Sequence, residues 1–324
     1  MAPFKTALVV RLANSESSIG SASHCYSGDV DADWTVLHVP NGGYMLGFIV
    51  QSCLQSQASS EHPDPLHVSA HFLQAASIST FDIKLRILKQ GRSFTNIIAD
   101  LVQANHTCIT AHFIFGKIPP SRPIIALSSG YTRRHPLALH PSKGVVSDMP
   151  KAYTFSKHVR WAEDLSLLQQ DTARNGGGVS LWGAWVELAD SEERITPASL
   201  AFLTDCFKSM PVLFPTSVTG VPESFWLPTL TLSVEFKAPI PPPSAVHSAR
   251  TVGVYVISGY SSDPQHRHDT FVEIWTAPSD IGEGAEVESW RDAQVCLALG
   301  TQMQLVVSAS VNERVGNKQA SAKL

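Results

Sequence analysis

The chain has 324 residues, 44% of them hydrophobic and only 16% charged, with 24 basic against 28 acidic side chains for a formal net charge of −4. Ordinary globular chains carry about 25% charged residues at roughly 150 residues per domain, so wholesale disorder is excluded and two domains, or one duplicated unit, are expected. The near-neutral balance excludes a general pull toward nucleic acid or an anionic membrane.

The N-terminus has an apolar run of only four residues, Ala7 to Val10, too short for a signal-peptide core. The most lipid-like stretch, Tyr44 to Leu54, is about half the ~20 residues of a spanning helix, so no membrane span is expected. Five cysteines (Cys25, Cys53, Cys108, Cys206, Cys296) form no CxxC pair, and their odd number and apolar settings read as free thiols in a reducing compartment. Together these features predict a soluble intracellular protein.

In chain order, the first strong element is a helix opening at Pro40-Asn41-Gly42-Gly43, with Asn41 as N-cap, and running to about Gln57. No charged residue occurs between Asn41 and Ser60, so this helix is expected to be buried. A proline turn, Pro63-Asp64-Pro65, leads into Leu66–Phe72, which alternates with period two as a half-buried strand does. Strands follow at Asp82–Leu88, Phe94–Gln103 and Thr107–Phe115. The stretch from Pro119 to about Gly178 reads as a linker, with a short helix near Trp161–Gln170. A second helix opens at Thr196-Pro197, a capping residue before proline, and continues to Met210. Pro228 then precedes Leu230–Phe236, and strands follow at Thr251–Ser258, Thr270–Ala277 and Ala293–Val307. The tail after Asn312 reads as disordered.

This order repeats. Leu66-His67-Val68-Ser69-Ala70-His71-Phe72 and Leu230-Thr231-Leu232-Ser233-Val234-Glu235-Phe236 align without gaps, with leucine, serine and phenylalanine recurring in place. The simplest packing is an α+β fold made twice, one buried helix wrapped by an antiparallel sheet in each half. The expected limits are 1–120 for the first unit, 121–178 for the linker, 179–310 for the second unit and 311–324 for the tail.

Several residues carry a family resemblance. Pro40-Asn41-Gly42-Gly43-Tyr44, His62-Pro63-Asp64-Pro65-Leu66, His71-Phe72-Leu73 and Gln90-Gly91-Arg92-Ser93-Phe94 resemble the N-terminal half of the acyl-CoA thioesterase II family. Ser199-Leu200-Ala201-Phe202-Leu203-Thr204-Asp205, Leu227-Pro228-Thr229-Leu230 and Gly300-Thr301-Gln302 resemble its C-terminal half. The resemblance covers roughly residues 15–120 and 180–310 and implies a double hot-dog fold, with fungal-type members as the nearest in character. It implies hydrolysis of an acyl thioester by a water held between Asp205, Thr229 and Gln302. Backbone amides of Gly42 and Gly43 would meet the thioester carbonyl, and Asn41 and Tyr44 would flank the substrate. Bacterial members tend to have histidine where this chain has Asn41. No cofactor or metal is implied; the substrate is an acyl-CoA or acyl-carrier thioester.

The residues themselves leave choices open. Asp205 is the only acid between Glu193 and Glu223, on a helix otherwise suited to a core, so it needs partners or a task. Alternation puts Thr229 with Thr231, Ser233 and Glu235 on the polar face, yet its place after Pro228 leaves that parity open, and Thr231 is the alternative hydroxyl. Gln304 shares a face with Gln302 and competes with it, and Gly42-Gly43 could serve close packing alone. No G-x-S-x-G elbow or Walker loop occurs, and the Asp263–Asp269 loop with its two histidines reads as a hairpin turn rather than a metal site. Non-hydrolytic chemistry, dehydration or cyclisation of a polyketide-type intermediate, is the second reading, and a non-catalytic acyl-binding protein the third. Ala322-Lys323-Leu324 resembles the peroxisomal Ser-Lys-Leu signal with alanine first, which leaves peroxisome, through its import receptor, and cytoplasm as the two locations. Oligomeric state is not legible.

Overall fold

The computed structural model describes residues 2–18, 21–118, 134–167, 179–213, 224–260 and 266–321. Twelve strands form one sheet. They are β1 (Val10–Ser18), β2 (Ser21–Asp29), β3 (Asp64–Phe72), β4 (Thr80–Gln90), β5 (Thr95–Gln103) and β6 (His106–Gly116) in the first half. The second half supplies β7 (Val159–Glu163), β8 (Val179–Leu188), β9 (Thr229–Phe236), β10 (Thr251–Tyr260), β11 (Arg267–Thr276) and β12 (Cys296–Leu305). The spatial order is β1-β2-β4-β5-β6-β3-β9-β12-β11-β10-β8-β7, antiparallel throughout.

The halves join where β3 pairs with β9, the two segments that repeat in the sequence. Ser69 lies opposite Ser233, His71 opposite Thr231 and His67 opposite Glu235. Because repeat-equivalent serines face each other, an approximate two-fold axis passes between them. Even the irregularities obey it: β3 is bulged against β6 between Pro65 and His67, and β9 is bulged against β12 at the equivalent place, between Thr229 and Thr231.

Two helices fill the concave side. Helix α1 (Gly42–Gln57) buries Tyr44, Met45, Leu46, Phe48, Ile49, Val50 and Cys53, as its uncharged sequence requires. Helix α2 (Pro197–Leu203) starts with a capping box between Thr196 and Ser199, and Pro197 at its first turn. The two helices touch backbone to backbone. A Cβ on Gly43 would stand 2.9 Å from the carbonyls of Ala201 and Phe202, and one on Gly47 would stand 3.3 Å from that of Ala198. The sheet residues facing them alternate strictly, as in β5, where Ile97, Ala99 and Leu101 are fully buried.

Three expectations need correction, and one element was not expected. Helix α2 ends at Leu203 and not at Met210, because the Thr204 hydroxyl donates to the Ala201 carbonyl at 2.8 Å and the Asp205 amide turns back to Phe202 at 2.9 Å. The short helix expected near Trp161–Gln170 starts later than expected: Val159–Glu163 is strand β7, edge-paired with β8, helix is present at 165–167, and 168–170 lie outside the described residues, so the expected linker contributes to the sheet. The N-terminal hairpin β1–β2 has no counterpart in the sequence reading. The expected disordered tail is helix α3 (Ala309–Ser321), anchored by buried Asn312, whose Oδ1 accepts from the His38 amide and whose Nδ2 donates to the Val36 carbonyl, both at 3.1 Å. Ala322-Lys323-Leu324 and the Asp263–Gln265 part of the histidine loop lie outside the described residues. All five cysteines are free and four are buried. Among the described residues no helix is long and apolar enough to cross a membrane.

Candidate active site

The early end of α2 decides where Asp205 goes. Released from the helix by Thr204, its carboxylate reaches the N-terminus of α1, so that a charge from the second half meets donors from the first. The Gly43 amide donates to Asp205 Oδ2 at 2.8 Å and Asn41 Nδ2 donates to the same oxygen at 3.1 Å. Asn41 is oriented for this by its capping role, its Oδ1 accepting from the Tyr44 amide at 2.9 Å. A helix N-terminus favours an anion, and glycine at 43 is obligatory there: a Cβ would lie 2.7 Å from that of Asp205.

On its other side Asp205 Oδ1 faces Thr229. The Thr229 hydroxyl lies 3.5 Å from Oδ1 and 3.3 Å from Gln302 Oε1, so its one proton can serve either. Both distances are long for O–H···O, weak enough to be exchanged for a bond to an incoming water. Gln302 Nε2 donates to the Thr204 carbonyl at 3.4 Å, and Gln304 Nε2 donates to Thr229 Oγ1 at 3.4 Å. Burial pushes the Asp205 carboxyl from 3.8 up to about 6, and hydrogen bonds from Gly43, Gln302, Asn41 and Thr229 limit the rise.

The site opens on a cavity of about 810 Å³ lined mainly by apolar side chains, including Met45, Phe72, Ile109, Phe207, Phe225 and Trp226. Asn41, Gly42, Asp205, Thr229 and Gln304 make its polar end, and Asp205 is the one charged side chain among the described lining residues. Such a cavity suits a substrate with an apolar body and one reactive polar group.

The structure thus brings Asn41, Gly42, Gly43, Asp205, Thr229 and Gln302 together, with two corrections. Tyr44 is no part of the cavity: fully buried, it donates its hydroxyl to the Ala7 carbonyl at 2.9 Å and stacks on Trp34, which draws its side chain into the core beside the N-terminal segment. The Gly43 amide is not available to a substrate carbonyl, since Asp205 already takes it. Of the competing hydroxyls, Thr229 reaches Asp205, because the bulge after it reverses the alternation and turns it to the helix side with Leu232 and Val234. Of the glutamines, Gln302 stands behind Thr229 and Gln304 lines the cavity. The expected Asp263–Asp269 turn needs correction: Arg267, His268 and Asp269 belong to β11, and His268 and Thr270 are buried beside these glutamines, their alternation with exposed Asp269 being the available signal.

The two-fold axis also predicts a second site, which is filled. Pro65 opposite Phe115 occupies the place of Thr229 opposite Gln304, and Phe113 opposite Val68 the place of Gln302 opposite Leu232. Both phenylalanines are fully buried.

A helix-filled sheet duplicated in one chain, with the site between the two helices, defines a double hot-dog protein. Solved structures share this architecture: a putative thioesterase II from Thermobifida fusca, 19% identical, covers 94% of this chain and 97% of its own with a TM-score of 0.64. A protein described as having a hot dog fold, from Alicyclobacillus acidocaldarius, is 17% identical over 94% of this chain and 98% of its own, at a TM-score of 0.66. Family models for the acyl-CoA thioesterase N-terminal domain and C-terminal domain match residues 30–116 and 140–277. The chain belongs to the acyl-CoA thioesterase family. An uncharacterised protein of Mycobacterium tuberculosis is 25% identical over 254 residues, 72% of this chain and 82% of its own length.

Proposed function

We propose that this protein hydrolyses an acyl thioester to a free acid and a thiol. The acyl group lies in the apolar cavity and the thioester carbonyl at its polar end. A water held between Asp205, Thr229 and Gln302 attacks the carbonyl carbon while Asp205 takes its proton. The tetrahedral intermediate then collapses, breaking its carbon–sulfur bond; the leaving thiolate takes the proton back from Asp205, which restores the carboxylate, and the acid is released. With the Gly43 amide committed to the carboxylate, the Gly42 amide at the same helix N-terminus is the donor for the developing oxyanion.

The observation that carries this reading is the setting of Asp205. An ordinary aspartate, near 3.9, is a weak base at neutral pH; one raised to about 6 is still largely ionised at pH 7 and a far better proton acceptor. The donors on its Oδ2 leave Oδ1 facing Thr229 and the cavity.

The test is thiol release from a panel of acyl-CoA and acyl-carrier thioesters by wild type and Asp205→Asn. Loss of a general base predicts a fall of ~10²-fold or more in the folded variant. A folded wild type that releases no thiol would sink the hydrolytic reading for those substrates and favour non-hydrolytic acyl chemistry or binding.

A further inference from the structure

Behind Thr229 the core turns polar. On the helix-facing side of the sheet, His268 and Thr270 of β11 lie opposite Gln304 and Gln302 of β12, and none of the four is more than 4% exposed. Buried polar atoms are normally paired, yet Gln304 Oε1 and His268 Nε2 are two of the buried atoms among the described residues that make no hydrogen bond of full geometry. They belong to residues directly opposite each other. One is an acceptor; the other is a donor when the neutral imidazole carries its proton on Nε2. Burial does keep this imidazole neutral, pushing it down to about 4 although Asp269 and an interaction with the Gln304 side chain pull the other way, and Thr270 Oγ1, 3.5 Å from Nδ1, can donate to the remaining ring nitrogen.

The arrangement matters because a glutamine amide has two orientations of nearly equal shape. With Nε2 toward Thr229, as found at 3.4 Å, Gln304 occupies a lone pair of Oγ1 and leaves the hydroxyl proton for Asp205 or Gln302. Flipped, it would place Oε1 there and draw that proton away from the carboxylate. Nothing in Thr229 itself chooses between the two, since a hydroxyl can donate or accept.

We propose that His268 is a positioning residue that makes this choice: its Nε2–H donates to Gln304 Oε1, directly or through one buried water, and so fixes the Gln304 amide and the direction of the Thr229 proton. The chain runs His268–Gln304–Thr229–Asp205, and its last three members line the cavity while His268 lies behind them. Its effect on rate rests on the hydrolytic reading above; its existence does not.

The test has two arms. Long-range ¹H–¹⁵N spectra of ¹⁵N-histidine-labelled protein near neutral pH report the tautomer of His268, assigned by the signal lost in His268→Gln. The expected result is a neutral ring protonated at Nε2 whose nitrogen shifts move in both Gln304→Leu and Thr229→Val. A ring protonated at Nδ1, or one indifferent to both substitutions, overturns the proposal whether or not the protein is a hydrolase. In the kinetic arm, His268→Phe lowers kcat by about tenfold, the effect of one lost hydrogen bond on a rate, with KM within about twofold. His268→Gln, which keeps a donor at a similar reach, recovers most of the loss, and His268→Phe adds nothing to Gln304→Leu. Equal losses in His268→Phe and His268→Gln, or additive losses with Gln304→Leu, overturn it. A wild type that releases no thiol while the spectral coupling is present rejects the hydrolytic reading and supports the chain.

Discussion

Replacing Asp205 by asparagine should stabilise the protein while disabling it. A carboxyl whose value rises from 3.8 to about 6 on folding prefers the protonated form in the folded state, so ionisation works against the fold. The difference of about 2.2 between those values, at 1.36 kcal/mol per unit, gives about 3 kcal/mol. Its sign follows from the direction: stability is highest below the unfolded value, falls as pH rises through the interval from 3.8 to about 6, and has lost the full amount by pH 8. The Asp205→Asn variant would escape this loss. The oxygen of the new amide can accept from Gly43 and Asn41, and its nitrogen can donate to Thr229, whose own proton can go to Gln302 Oε1 while Gln302 Nε2 keeps the Thr204 carbonyl, so no buried donor is orphaned by the exchange. Urea denaturation of wild type and variant at pH 8 and pH 4 checks it. The variant's advantage should be close to 3 kcal/mol at pH 8 and largely gone at pH 4. A variant whose stability relative to wild type is the same at both pH values, or worse at pH 8 than at pH 4, would refute the reasoning, since it would mean that the partners of the carboxylate match or outweigh the penalty of its burial.

Two further outcomes follow from the same geometry. On the proposed reading kcat/KM falls about tenfold per pH unit below an apparent pKa near 6, and whatever activity Asp205→Asn keeps lacks that acid limb; a wild-type profile flat from pH 5 to 8 would contradict it. The paired glycines should separate in effect. Alanine at 43 meets Asp205 Cβ at 2.7 Å and two carbonyls at 2.9 Å, so the helices must part at about 1–3 kcal/mol of stability, whereas alanine at 42 meets Asp205 Oδ2 and the Phe72 ring at 3.2 Å and chiefly obstructs approach to the carboxylate. Urea midpoints and kcat/KM measured side by side decide it, and a larger stability loss at 42 than at 43 would count against this account.

Much of the architecture was legible because it rests on patterns the sequence displays. The uncharged run after Asn41 became α1, Thr196-Pro197 capped α2, and the repeated Leu-x-x-Ser segments became neighbouring strands. What escaped has physical causes. The hairpin β1–β2 carries Asn14, Ser15, Glu16, Ser17 and Ser18, a sheet-edge composition without the alternation that marks a half-buried strand. Helix α3 is polar in sequence, and the hydrogen bonds of Asn312 to the His38 amide and the Val36 carbonyl tie it down, a link that no apolar period announces. In the candidate site Asp205, Asn41 and the glycines were legible as residues, but the direction of Thr229 depended on a bulge, and a one-residue offset in a strand exchanges its faces. The Tyr44 side chain and the Gly43 amide enter the site through the resemblance of the Pro40–Tyr44 motif, which says nothing of which way each points along a helix turn.

The approximate two-fold axis between Ser69 and Ser233 bears on what fusion permits. Two identical subunits packed this way would carry every buried polar group twice, with the same penalty at each site. In a single chain the two positions can part company. Phe113 and Phe115 close one of them as ordinary core, while Gln302 and Gln304 keep the other polar and ionisable. Covalent linkage therefore lets one half of the molecule hold the fold together on behalf of a costly arrangement in the other.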